Sequence, residues 1–467
     1  MSKAGINQSC SEIYDSLKQH GSWQRSELGD QIIKDIFYNA ENIANQVVQK
    51  KDSPKIDWDS KIDDILTSHH LGYPIMVFLL GLILWITLKG ANIPSQVLSN
   101  TLFAGEEVLN DWLTFMGSPA WLTGMLVMGM YKTLAWVVAV MLPPMAIFFP
   151  LFTFLEDLGY LPRISFNLDS MFKKVNACGK QALTMCMGFG CNAAGVTSCR
   201  IIDSSRERLL ALLTNNFVPC NGRFPILITI STIFIGASVS SAYQTTIAAA
   251  FVTCLVLFGI ATTFLISALL SKTLLRGETS SAILELPPYR KPQIGAVIYR
   301  SILDRTIFVL LRAVSVAAPA GAITWILGNV FIGDLSIIAH LAAVLNPVGQ
   351  AIGLDGFILL AFILGLPANE IVLPILLMSY LSTGHIQNFE NLQQLKTILI
   401  NNGWTWLTAV NMMLFSLLHW PCTTTLLTMY RETGSKKWTF LAFVIPTTVA
   451  FTVCFLLTQT VKIWGWL

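Results

Sequence analysis

The sequence predicts an all-α, polytopic membrane helical bundle with two inverted repeats containing broken or re-entrant helices. Three observations carry that prediction: an apolar composition, an uneven distribution of loop charge, and interrupted apolar runs at matching places in two halves. Hydrophobic residues make up 54% of the 467 residues and charged residues 12%, about half the charge of an ordinary soluble domain. Apolar stretches at 72–89, 245–270 and 438–461 approach or exceed the ~20 residues that cross a bilayer.

Residues 1–68 form the first domain, a cytosolic helical stalk. They hold eight Lys and Arg against eleven Asp and Glu, whereas the rest of the chain is net positive. Their polar character predicts no cleavable signal peptide. Ile32, Ile36, Ala40, Ile43 and Val47 fall on one helical stripe. The charged KKDSPK at 50–55 ends that helix at Pro54, and a second begins near Ser60, where Ser60 and Asp63 match a capping box. The net charge of +3, with no basic arm, excludes a nucleic-acid partner.

Residues 69–467 form the membrane domain. Its elements fall at 72–89, 123–155, 180–198, 209–236, 244–270, 306–331, 357–382, 404–429 and 438–462. The intervening loops 156–180, 199–208, 271–305 and 430–437 are rich in Lys and Arg, so the positive-inside rule assigns them to the cytoplasm, with the N-terminus. Loops 90–122 and 332–356 have neither Lys nor Arg and carry Glu106, Glu107, Asp111, Asp334 and Asp355, so they belong outside. Both flanks of 180–198 are then inside and both flanks of 357–382 outside. Each of these elements enters and returns as a hairpin or makes a broken double pass. Repeat one, about 123–236, and repeat two, about 306–429, therefore run in opposite senses. GFGCNAAG at 188–195 corresponds to GLPANEIV at 365–372, and FVPCNGR at 217–223 to HWPCTTT at 419–425. Interrupted helices at matching positions of two halves point to the central site of a transporter.

The chemistry concentrates at these interruptions. Gly188 and Gly190 are read as opening the backbone beside Cys191 and Asn192, and an opened backbone in lipid must be buried in protein or line a cavity. Pro219 and Pro421 precede Cys220 and Cys422 in the two later elements. Of nine cysteines, with no CxxC pair, Cys191, Cys220 and Cys422 are the candidate ligands for a soft or borderline cation. Glu370, beside Asn369, is an ionisable residue at membrane depth and a candidate hard ligand or proton carrier. Glu156 and Asp157 stand at the inner mouth. His419, three residues before Cys422, shares its helical face. Cys178, Cys186, Cys199, Cys254 and Cys454 read as buried core thiols.

FLEDLGYLPRISFNLD (154–169), MGFGCNAAG (187–195), RERLLALLTNNFVPCNGR (206–223), LPPYRKP (286–292) and PCTTTLLTMYRETGS (421–435) together resemble the membrane domain of bacterial ferrous iron transport protein B. IDWDSKIDDILTSHHLGYPI (56–75) resembles that family's junction between its helical cytosolic domain and first span. The resemblance covers roughly 56–467. It implies two gate-type repeats, ferrous iron as transported substrate without a tightly bound cofactor, importance for the three cysteines, and a bacterial inner-membrane location. The chain departs from the family in having no GxxxxGK[ST] phosphate loop. It also has Ala193-Ala194 where commoner relatives have a proline, and Asn369 where many have lysine. A separate GTP-binding protein docking on residues 1–68 is then the implied partner, and homo-oligomers remain open. Alternatives are a gate-type permease for another divalent metal or a nucleoside-like solute, an intramembrane enzyme using Cys422 and His419, and a non-transporting membrane anchor.

Overall fold

The computed structural model describes residues 58–68, 70–236, 243–277, 289, 292–381 and 392–465, with scattered positions between 32 and 47. Most of the stalk, Cys10, the KKDSPK break and Pro287-Pro288 lie outside the described residues. At the described positions Ile32, Ile36, Ala40, Ile43 and Val47 are helical and exposed.

Helix α1 (Trp58–Leu66) starts ahead of the expected Ser60, which lies inside the helix and not at its cap. Asp63 instead grips Arg163. Helix α2 (Gly72–Phe115) runs 44 residues, about 66 Å at 1.5 Å per residue. The expected outside loop at 90–122 is thus mostly helix. Pro94 removes only one backbone bond, and nothing else stops the helix before Gly117, at φ +73°, and Pro119. Helix α3 (Ala120–Asp157) returns along α2, carries π-helical turns at Gly124–Tyr131 and includes Glu156 and Asp157 as its last residues. Buried Lys132 reaches Glu106 of α2 at 3.0 Å.

The 156–180 segment also contains a helix, α4 (Tyr160–Lys174). Gly159, at φ +81°, turns the chain into it. Lys173 and Lys174 sit in its last turn, where cations complement the helix dipole. Its Arg163 donates to both oxygens of Asp63, at 2.9 and 3.1 Å, and stacks 4.0 Å over Tyr289. The Tyr289 hydroxyl donates to the same carboxylate at 2.6 Å. Further along α4, Ser165 donates to Gly179 O at 2.7 Å and Asp169 accepts from Gly179 N at 3.1 Å. Gly179 begins the first broken helix.

That helix is α5 (Lys180–Gly190), followed by α6 (Asn192–Ser198). Helix α7 (Ser205–Thr214), capped by Ser204, and α8 (Phe224–Ile235) make the second broken element, and α9 (Gln244–Lys272) is an unbroken span. In the second half, α10 (Ile294–Tyr299) passes through π-helical turns into α11 (Phe308–Asn329), so this element begins earlier than the expected 306. The 332–356 segment is not an open loop. It holds a hairpin of β1 (Phe331–Ile332) and β2 (Leu335–Ser336), then α12 (Ile337–Ala351). Ser336 caps α12 through Ala339 N, and α12 bends by 110° into α13 (Gly356–Leu364). The broken pairs α13 with α14 (Val372–Leu381), and α16 (Trp406–Leu418) with α17 (Thr423–Thr433), mirror those of the first half. Helix α15 (Leu392–Asn401) lies between them, and α18 (Lys436–Ile463) closes the chain.

Four helices among the described residues are long and apolar enough to cross a membrane, or five if the bent α12–α13 pair is one span. The chain is a polytopic membrane protein. Its core is contiguous across both halves, with Leu213, Phe217, Phe362 and Phe415 fully buried at the centre.

Candidate functional site

The four breaks meet at the centre of the bundle. At the first, Cys191 adopts extended backbone (φ −155°, ψ 127°) between α5 and α6. The break is therefore at the cysteine, and Gly188 and Gly190 remain helical, contrary to the expectation that they open the backbone. Their missing Cβ atoms instead admit neighbours. A Cβ on Gly188 would lie 3.0 Å from Asn215 Oδ1, and one on Gly190 would lie 2.8 Å from Phe149. At the matching break, Gly365 to Ala368 interrupt the chain and Asn369–Ile371 form a single 3₁₀ turn before α14.

The second pair of breaks follows the prolines. Val218 is extended (φ −83°, ψ 124°), as a residue preceding a proline prefers, and Pro219 and Cys220 follow. In the other half, α16 stops at Leu418, and His419, Trp420 and Pro421 lead to Cys422, the N-cap of α17. Thr423 ties two breaks of this half together, donating from N to Leu366 O at 3.0 Å.

Opened backbone inside a membrane protein needs partners for its carbonyls. Arg223 supplies them. Fully buried, it donates to Asn216 O and Leu417 O at 2.8 Å each, to His419 O at 3.0 Å, and to Asn216 Oδ1 and Trp420 O at 3.1 Å. One guanidinium thus joins the breaks of both halves through charge-assisted bonds. Asn216 Nδ2 adds a 2.7 Å bond to His419 O, and Asn215 Nδ2 reaches Asn192 O at 3.1 Å. Asn192 and Asn216 contact each other through their amides at 3.2 Å.

Around this lock lie the candidate ligands. Cys220 is buried and within electrostatic range of Arg223, Cys422, Glu370 and Cys191. Asn369 Nδ2 is 3.9 Å from Cys220 Sγ, crossing between halves. Its Oδ1 lies 3.4 Å from His419 Nε2. Glu370 also crosses: a Cβ on Gly222 would meet its Oε1 at 2.7 Å, so a larger residue there would displace the carboxylate. Cys191 and Cys422 are half-buried. Cys422 Sγ contacts Thr425 at 3.3 Å, while His419 Nδ1 faces the carbonyls of Ser416 and Phe415 at 2.9 and 3.1 Å. Two carbonyls at Nδ1 require a proton there.

Among the described residues, no three His, Cys, Asp or Glu side chains stand close enough to hold a metal as placed. The structure brings Cys191, Cys220, Cys422, Asn192, Asn369, Glu370, Pro219 and Pro421 into one region of the fold, but not into a finished coordination sphere. Glu156 and Asp157 lie apart, at the end of α3. Sequence reasoning missed the roles of Arg223 and Gly222. An arginine flanking an apolar run reads as a loop charge, and only the carbonyl-rich breaks around it would have suggested otherwise. Of the other cysteines, Cys178, Cys186, Cys199 and Cys454 are buried and Cys254 is exposed.

Two gate halves meeting at paired broken helices define a gate-type membrane permease domain. The Gate family model, described as nucleoside recognition, matches residues 138–234 and 310–436, and the model for the ferrous iron transport protein B C terminus matches the intervening 252–304. Those matches, in sequence, support a membrane permease domain similar to that of the ferrous iron transport protein B family. Proteins named Fe(2+) transporter FeoB are similar along nearly the whole chain. That of Staphylococcus aureus strain MSSA476 is 27% identical over 431 residues, covering 90% of this chain and 61% of the relative. That of Methanocaldococcus jannaschii is 28% identical over 455 residues, covering 94% and 64%. That of Campylobacter jejuni is 24% identical over 444 residues, covering 92% and 70%. The chain thus spans about three-fifths of the length of the staphylococcal relative. No solved structure matches it.

Proposed function

We propose that this permease domain carries ferrous iron across the bacterial inner membrane by alternating exposure of a thiol-lined site between its two halves. The observation that carries the reading is the convergence of Cys191, Cys220 and Cys422, from three different breaks, with Glu370 in electrostatic range of Cys220. A divalent cation crossing hydrocarbon must exchange its water shell for protein ligands, and thiolates suit borderline transition metals better than magnesium or calcium. In this reading the ligands close around the ion as the half-helices shift. The relatives' printed name, Fe(2+) transporter, supports the cargo.

The loop charges orient the domain with Lys180, Arg200, Arg206 and the N-terminal segment in the cytoplasm. A GTP-binding protein acting on residues 1–68 is the partner this orientation accommodates. Reconstitution in liposomes tests the reading. Ferrous iron uptake is expected, with Cys191→Ser and Cys422→Ser each lowering it at least tenfold. No uptake, even with the GTP-binding partner supplied, overturns iron transport, and uptake indifferent to both variants removes the thiols from the pathway. Uptake of a nucleoside but not iron would favour the cargo suggested by the Gate description instead.

A further inference from the structure

We propose that Arg200 and Glu432 form the latch of the inner gate, holding together two half-helices that must part for the site to open to the cytoplasm. The proposal rests on the transport reading above and names the device that regulates the site's exposure. Helices α6 and α17 come from opposite halves and pack side by side. One starts at Cys191 and the other at Cys422, so their central ends carry two of the three pathway thiols. Beyond α6 a 3₁₀ turn, Cys199–Ile201, carries Arg200, and Glu432 lies in the last turn of α17.

Between the thiols and that far end the way is shut. Val196, Leu213 and Met429 are buried there, and the remaining cavity beside Asn216 and Pro421 is about 10 Å³. That is at the lower limit for a single water. Below this plug, Arg200 Nε donates to Glu432 Oε2 at 2.8 Å and Nη2 to Oε1 at 2.7 Å. The two parallel bonds fix register as well as distance. The Arg200 side chain is 67% exposed and that of Glu432 13%. Water on the arginine side screens the pair and limits its contribution to stability, which suits a contact that must break in each cycle. Separating α6 from α17 at this end cannot occur with both bonds intact, so the pair opens before the plug does.

Charge reversal tests the latch with the full chain in inside-out vesicles. A membrane-impermeant maleimide is added, and modification of Cys191, Cys422 and Cys454 is followed separately by peptide mass spectrometry. R200E and E432R are each expected to accelerate labelling of Cys191 and Cys422 roughly two- to fivefold, and the double reversal to return both rates to those of the unaltered protein. Cys454, fully buried at α18, should stay slow throughout. Unchanged rates in the single variants, a double variant as fast as either single, or acceleration at Cys454 as well would each overturn the latch. Iron uptake measured in parallel separates the two ideas. Labelling that follows the charges without any iron movement removes the cargo and keeps the gate. Loss of uptake in Cys191→Ser with labelling indifferent to charge removes the gate and keeps the cargo.

Discussion

Arg223 shows how much a single residue can hold in this bundle. Its guanidinium occupies five acceptors drawn from both halves. Arg223→Met takes the guanidinium donor from Asn216 O, Leu417 O and Trp420 O and should cost roughly 3–5 kcal/mol, the scale for breaking a buried charged network. Arg223→Lys should not restore it, because a point charge cannot fork to carbonyls on two chain segments. Thermal unfolding in detergent checks both. Gly222 acts through space rather than charge. Gly222→Ala places a Cβ 2.7 Å from Glu370 Oε1, and overpacking of this kind costs about 1–3 kcal/mol. The expected outcome is a modest fall in melting temperature with a larger fall in iron uptake, since the carboxylate must move. An equal loss in both would make Gly222 a packing residue only.

At the scale of elements, the breaks were legible and the caps of the long helices were not. Pro219, Pro421 and the Gly-Cys-Asn stretch announce interruptions because proline lacks a donor and small residues pack poorly as helix. The charge of a segment, however, says which side it faces and little about its shape. Segments 90–122, 156–180 and 332–356 were placed by charge, yet each folds largely as helix. The region where the candidate residues converge was legible from the paired breaks. Its wiring through Arg223, Asn215 and Asn216 did not, because those bonds join residues far apart in sequence. The α12–α13 bend illustrates the local side. Gly353, at φ +71°, sits in that turn against Asn411 and Thr458. Gly353→Ala should cost at least about 1–2 kcal/mol from the left-handed backbone alone, read as a lower unfolding temperature.

Across the whole molecule, α4 is the rigid piece between the N-terminal segment and the first broken helix. Arg163 holds Asp63, which also accepts from Tyr289, while Ser165 and Asp169 hold both backbone groups of Gly179. The Arg163 hydrogen bond is the chief cause that holds the Asp63 carboxyl below its ordinary value of 3.8, against a smaller opposing effect of burial. A depressed folded value means the contact contributes fully above the unfolded value and is lost only as pH falls through the lower one. The junction should therefore resist proteolysis at pH 5 and loosen below about pH 3.8. Asp63→Asn should be cleaved faster at neutral pH and show no such transition. Identical cleavage of both proteins at pH 7 would remove the clamp from the junction.

The buried guanidinium of Arg223 has a further consequence, for electroneutrality. One permanent positive charge already occupies the centre, with the Glu370 carboxylate to set against it. A divalent ion arriving there needs two more negative charges, and thiols provide them only by releasing protons. On the proposed transport reading, iron entry coupled to the loss of two protons would leave the net charge of the centre unchanged. Moving a net charge through the bilayer would respond to voltage by about 2.3 kcal/mol per 100 mV, whereas an electroneutral exchange would not. Uptake into vesicles should then follow an imposed pH gradient and ignore a potassium diffusion potential of the same size.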